Sequence, residues 1–238
     1  ATAIVAAEQA DLDEEVTSDV HYWDLDDSST MGLEPGDVFT VRELLYGLML
    51  VSGNDAAIAL GRHVAGSDDA FVALMNDLVE RLGLEDTRFM NASGLHHDRH
   101  YSSPWDLVML SRALMRIPEL REVVGTEEHT ALGERPTDAD LEDAGIEGSD
   151  EGASAGSDGR ARGSEPVGLD LYNHNPLLNY TPGVDGVKTG FVEEAGRTFS
   201  VTAERGGHRI YIVLLDTTLR AQDSMDLIEW AFANHEWP

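Results

Sequence analysis

Lys188 is the only lysine in 238 residues, and the other fifteen basic side chains are arginines. An ammonium on a flexible stem is a compact point charge that shifts its pKa readily and can hold an anion, a different role from that of a planar guanidinium. It stands in "GVDGVKTGFVEEAG", Gly183 to Gly196, directly before Thr189 and Gly190. A second short pattern, Ser52-Gly53-Asn54, interrupts an apolar run far earlier in the chain. Together these residues offer one coherent chemistry. An ammonium, a hydroxyl and strand-edge amides can grip a carboxylate, while a serine and a side-chain amide relay a proton and fix a peptide carbonyl. Three-residue patterns occur often by chance, so their order, separation and setting carry the weight.

The elements that must position them read as follows. "TVRELLYGLMLV" opens with Thr40 and Glu43 at capping-box spacing and then turns almost wholly apolar, as a buried helix does. "SGN" breaks it and "DAAIALGRHVAG" resumes helical spacing. "SDDAFVALMNDLVERLG" is amphipathic, with Phe71, Leu74, Leu78 and Leu82 on one face. "SPWDLVMLSRALMR" begins with Ser103 as N-cap and Pro104 at the first helical position. Residues 2–10 read as the end of a further helix, followed by acidic loop or strand-like text to Gly36, so the first half is mainly helical. Later, "VDGVKTG", "GRTFSVTAE" and "RIYIVLLDTT" read as strands, with a hairpin turn at Arg205–Gly207. Phe199, Val201 and Ala203 alternate as on a half-buried sheet, and "IYIVLL" suits a strand covered on both sides. A last helix places Met225, Ile228 and Phe232 to pack on that sheet. Helices, then antiparallel strands, then a helix give an α+β layout in a single domain over 1–238.

The formal charge is −29, from 45 acidic and 16 basic side chains. That field repels nucleic acid and anionic membrane surfaces, and abundant acid with a single lysine either suits concentrated salt, where self-repulsion is screened, or reflects a genomic bias toward arginine. With no cysteine, disulfides and thiol catalysis are excluded, and no run is long and apolar enough to span a membrane. Residues 134–165 are acidic, rich in Gly and Ser and poor in large apolar side chains, and read as a mobile insertion. "GASAG", Gly152–Gly156, lies within it and matches G-x-S-x-G. That motif needs a strand before the serine and a helix after it, and the flanking text provides neither.

The longer context resembles a known family. "LEPGDVFTVRELLYGLMLVSGNDAAIALGRHVAGSDDAFVALMNDLVERLGLEDTRFMNASGL", "HYSSPWDLVMLSRALM", "NHNPLLNYTPGVDGVKTGF" and "EEAGRTFSVTAERGG" are similar to the catalytic domain of the serine-type D-alanyl-D-alanine carboxypeptidases, the low-molecular-weight penicillin-binding proteins. The resemblance covers nearly everything outside 134–165. It implies the β-lactamase/transpeptidase-like fold, a helical subdomain beside an antiparallel sheet flanked by helices. It also implies acyl transfer on D-Ala-D-Ala stem peptides of peptidoglycan without cofactor or metal, inhibition by β-lactams, and a location outside the cytoplasm. Ser52 and Asn54 would assist proton transfer and line the site. Lys188 and Thr189 would bind the terminal carboxylate, Gly190 would allow close approach, and the Phe191 N–H would be one oxyanion donor.

Two departures follow. Val192 stands where the family usually has threonine. The family's nucleophile lies in S-x-x-K, just before text like "TAIVAAEQA", and no S-x-x-K occurs in these residues, since Asp185 stands three positions before the only lysine. Starting at Ala1, already inside an apolar helix, the chain reads as an N-terminally shortened piece, inactive alone, with strands missing from its sheet and an unpaired edge. Ser52 is a poor substitute nucleophile because no adjacent base is evident. The rival readings are a non-catalytic peptidoglycan-binding pseudoenzyme and a D,D-endopeptidase or serine β-lactamase of the same superfamily. "SGN" rather than "SDN" favours the carboxypeptidase. His96, His97 and His100 suggest metal ligands by type but read as a solvated loop, and His174 as a structural hydrogen-bonding residue. Trp23, Trp105, Trp230 and Trp237 read as core or surface-packing residues, and Arg220 as a surface charge by default that could help bind a carboxylate.

Overall fold

The computed structural model describes residues 1–25, 28–137 and 164–237. Most of the acidic insertion and all of the "GASAG" segment lie outside the described residues. Helix α1 (Thr2–Gln9) leads to strand β1 (Glu15–Thr17) and strand β2 (Val38–Thr40). Helix α2 (Val41–Leu50) is the centre of the larger core, with Val41 and every residue from Leu44 to Leu50 buried. Its start is fixed by Thr40, whose hydroxyl accepts from the Glu43 N–H (3.2 Å). Helices α3 (Asn54–Ala65) and α4 (Asp68–Leu82) follow, then α5 (Pro104–Leu114) and α6 (Pro118–Gly125). Ser103 caps α5 by accepting from Asp106 N–H (3.2 Å), with Pro104 in the first turn. On α4, Phe71 and Leu78 are buried, while Leu74 and Leu82 pack partly buried on the same core.

Two antiparallel sheets complete the chain. Strands β5 (Val184–Val192), β6 (Gly196–Arg205) and β7 (His208–Leu214) form the sheet read from the sequence, in the order β5-β6-β7. The turn at Gly206-Gly207 has both residues at positive φ, as a tight two-residue hairpin requires. Phe199, Val201 and Ala203 face a second, smaller core with Leu177 and with Ile228 of helix α7 (Arg220–Asn234), and Met225 and Phe232 pack beside them. The "IYIVLL" run is covered on both faces as expected, Ile210 and Ile212 packing on the smaller core and Tyr211 on the larger. Every residue of β7 is only half-buried, because β7 is an edge strand, with no strand paired to its outer side among the described residues.

The second sheet, β1-β2-β3-β4, was not legible. Its longest pair joins β3 (Glu128–Arg135) to β4 (Glu165–Tyr172), in register from Glu128 with Tyr172 to Arg135 with Glu165. The acidic insertion therefore starts and ends as paired strand, inside the boundaries 134–165. One deeply buried residue per strand, Ala131 and Leu171, leaves almost no apolar alternation to read. The tryptophans are surface-packing rather than core residues, Trp23 meeting the Tyr22 ring edge-on and Trp237 stacking on His208. Trp105 is 70% exposed and Trp230 59%, and neither Trp23 nor Trp237 belongs to the core.

Gly133 sets how closely β3 approaches β2. A Cβ there would lie 2.5 Å from the Val38 carbonyl oxygen and 2.7 Å from the Phe39 ring. Gly133→Ala is expected to cost about 1–3 kcal/mol in denaturant unfolding. Gly168→Ala on the adjoining strand would meet Thr130 and Leu132 at ordinary distances, 3.4 and 3.6 Å. That substitution should stay within roughly 0.5 kcal/mol. Equal losses at the two positions would show that the close approach at Gly133 is not what matters.

Candidate active site

Ser52 and Asn54 sit on the break between α2 and α3. Ser52 is one of three described non-glycine residues with positive φ (61°), so the chain reverses sharply there. Gly53 has room for no side chain, since a Cβ would stand 2.9 Å from Asp55 Oδ1 and 3.1 Å from Gly47 O. The turn is held from behind. Gly53 N–H donates to Gly47 O (3.0 Å), and Asn54 N–H donates to Ser29 O (2.9 Å). The fully buried Asp55 carboxylate accepts from the N–H groups of Met31 (3.0 Å), Gly32 (2.9 Å) and Leu33 (2.9 Å). A buried carboxylate with several backbone donors is a firm anchor. It ties loop 29–33 to the start of α3 and so fixes the serine–asparagine pair.

Lys188, Thr189, Gly190 and Phe191 lie on β5. This strand pairs with β6 on one side only, and its other edge is unpaired among the described residues. The Lys188 Nζ donates to Ser52 Oγ and to the Thr189 carbonyl oxygen (2.8 Å). The two sequence patterns therefore meet across one cleft. Thr189 and Asn54 are buried, and their side chains form no hydrogen bond within the described chain, which leaves both available to a ligand. Phe191 is 66% exposed at the rim, with the Arg197 guanidinium 5.9 Å from its ring centroid. Behind Lys188 lies a cavity of about 250 Å³, lined by apolar residues of α1, α2 and α5 and by Ser111, Ser200 and His100.

The electrostatics of the cleft are unusual for so acidic a chain. Burial, then the nearby Arg220, lowers the Lys188 pKa from 10.5 to about 8. Burial and Arg197 lower the pKa of Arg220, and burial, Lys188 and Arg220 lower that of His174. Among the described residues no carboxylate pairs with any of the three. The His174 backbone is fastened beside the helix break, its N–H donating to Leu50 O (3.0 Å), and the charge of Arg220, for which the sequence left a carboxylate contact open, acts on Lys188. Of the histidine loop, His96 pairs with Asp98 (3.4 Å), while His100 is not simply solvated. Its ring packs edge-on against Phe89 at 5.5 Å, and burial lowers its pKa. Among the described residues, no group of His, Asp and Glu could hold a metal ion.

Comparison with known proteins gives a consistent picture. A family model described as D-alanyl-D-alanine carboxypeptidase matches residues 2–142. The chain is 31% identical over 211 residues to the D-alanyl-D-alanine carboxypeptidase DacF of Bacillus subtilis, covering 87% of this chain and 46% of the relative. It is 32% identical over 210 residues to DacA of Escherichia coli K12, covering 86% and 43%. The chain thus spans less than half the length of these two relatives. A Streptomyces sp. K15 D-alanyl-D-alanine carboxypeptidase is 31% identical over 245 residues, with 98% and 76% covered. The crystal structure of the Streptomyces K15 DD-transpeptidase superimposes with a TM-score of 0.80 at 30% identity, over 98% of this chain and 84% of that one.

Proposed function

The chain belongs to the D-alanyl-D-alanine carboxypeptidase family, and from that premise we propose that its cleft binds the D-Ala-D-Ala end of a peptidoglycan stem peptide for acyl transfer. The observation that carries this reading is the contact of Lys188 with Ser52, 136 positions apart, in a cleft of unpaired cations. The terminal carboxylate would take the place of the missing counter-ion, held by the Lys188 ammonium, the Thr189 hydroxyl and the Arg220 guanidinium. The peptide would lie along the free edge of β5, where Gly190 lets the ligand come close to the backbone. Asn54 would donate its amide to the penultimate carbonyl, and the Phe191 N–H would face the developing oxyanion. Ser52, already hydrogen-bonded to Lys188, would pass a proton toward the departing D-alanine amine. The work of such a site lies outside the cytoplasm, where its substrate is. Among the described residues no helix is long and apolar enough to cross a membrane.

The attacking serine of this chemistry belongs to S-x-x-K, which these 238 residues do not contain. On their own they are expected to bind acyl-D-Ala-D-Ala without releasing D-alanine, and to take no covalent label from a fluorescent penicillin. A polypeptide carrying S-x-x-K ahead of Thr2 in the family spacing should be labelled and should release D-alanine in preference to hydrolysing nitrocefin. Stable labelling of the 238 residues alone would contradict the assignment of roles. Preferential nitrocefin hydrolysis by the extended polypeptide would favour a β-lactamase, and an unreactive extended polypeptide a pseudoenzyme.

A further inference from the structure

Strand β5 is open to a ligand only in its second half. Before Lys188 it is walled in: Asn175 Nδ2 donates to Gly186 O (3.1 Å), and α6 packs so closely that a Cβ on Gly186 would stand 2.9 Å from Val124 Cγ2. A peptide whose terminal carboxylate sits at Lys188 therefore runs toward Val192. Three residues on from Lys188, about 10 Å along an extended strand, it meets the exposed ring of Phe191. Phe191 is paired in register with Arg197 of β6, so both side chains leave the same face of the sheet. The Arg197 guanidinium stands over the ring, 5.9 Å from its centroid, and its backbone is held by Thr217 N–H donating to Arg197 O (3.1 Å). Among the described residues the Arg197 side chain forms no hydrogen bond or ion pair, not even with Glu193 and Glu194 of the adjoining turn.

We infer that Phe191 and Arg197 select the third residue of the substrate, counted from its carboxyl end, for a long aliphatic side chain that ends in a carboxylate. The inference rests on the D-Ala-D-Ala reading above. With the terminal carboxylate at Lys188 and Thr189 and the penultimate carbonyl at the Phe191 N–H, the residue upstream lies beside Phe191 itself. Its methylenes would cover the open part of the ring, and its carboxylate would meet the N–H fork at the edge of the guanidinium. Stacking on the ring leaves those in-plane donors free and holds the guanidinium in place, so less rotamer freedom is lost when the ligand binds. A lysine side chain of similar length would bring an ammonium to the guanidinium and be repelled.

The test is calorimetry of three N-acetylated tripeptides ending in D-alanyl-D-alanine, with aminoadipate, norleucine or lysine as the third residue, on the 238-residue chain at pH 7 and low salt. The aminoadipyl peptide is expected to bind about fivefold tighter than the norleucyl one, the upper range for an exposed ion pair, and the lysyl peptide to bind weakest. R197Q should bring the aminoadipyl and norleucyl affinities together, and R197K, which keeps the charge, should retain the order. Equal affinities of the three, a lysyl peptide that binds tightest, or a preference unchanged in R197Q would overturn the inference alone. Failure of all three to bind would overturn the D-Ala-D-Ala reading and this inference with it.

Discussion

Replacing Lys188 by methionine is expected to weaken acyl-D-Ala-D-Ala binding by roughly 30- to 1000-fold, the 2–4 kcal/mol typical of a desolvated charged contact, while making the protein more stable. The two effects share one cause. Lys188 is half-buried, and its contacts in the unliganded chain are a hydroxyl and a carbonyl oxygen rather than a carboxylate. Lowering its pKa from 10.5 to about 8 corresponds to about 3 kcal/mol of folding free energy lost wherever the ammonium is charged in both states. The sign fixes the pH window. The loss is complete below pH 8 and is relieved as pH rises from 8 toward 10.5, because over that range the unfolded chain holds the proton more firmly. The parent should therefore gain about 2 kcal/mol between pH 7 and 9.5, whereas K188M should show no such rise. Melting curves at a series of pH values, alongside a ligand titration, measure both effects. A methionine variant that binds as tightly as its parent would leave the cleft without its central cation.

Asp55→Ala should be the most damaging single change near the site, costing about 3–5 kcal/mol, as removing one partner of a buried, hydrogen-bonded charge does. The carboxylate accepts from three successive backbone amides of the loop at Met31, Gly32 and Leu33. For a chain of this length that corresponds to a melting temperature roughly 10 °C lower. Asp55→Asn should cost nearly as much, since it turns an amide donor toward other donors. Ligand affinity should fall as well, because Asp55 adjoins Asn54 and fixes the reversal on which Ser52 stands. A D55A variant melting within 2 °C of its parent would mean that loop 29–33 is held by something else, such as the contact of Arg135 with the Gly32 carbonyl (3.2 Å).

The helical half and the last three strands could be read along the chain because their causes are local. Thr40 and Ser103 cap their helices within three residues, and Phe199, Val201 and Ala203 alternate on one strand. The strand pair β3–β4 could not be read, since its stability comes from an eight-residue register with a partner some forty residues away and very little from its own apolar pattern. The apolar text of β7 told of cover on both faces but not of its place at the sheet edge, where its residues stay half-buried.

The candidate site divides along the same line. Residue types alone indicated which groups could do chemistry: one ammonium in a chain of arginines, a serine and an asparagine at a helix break, and a hydroxyl beside a glycine on a strand. Only the tertiary structure set the Lys188 ammonium against the Ser52 hydroxyl, and only it fastened the backbone of His174 to the end of α2, two residues before Ser52. The reason is physical. Helix caps and strand alternation depend on neighbours a few residues apart, whereas desolvation and Coulomb fields depend on distance through space, which the order of residues does not encode.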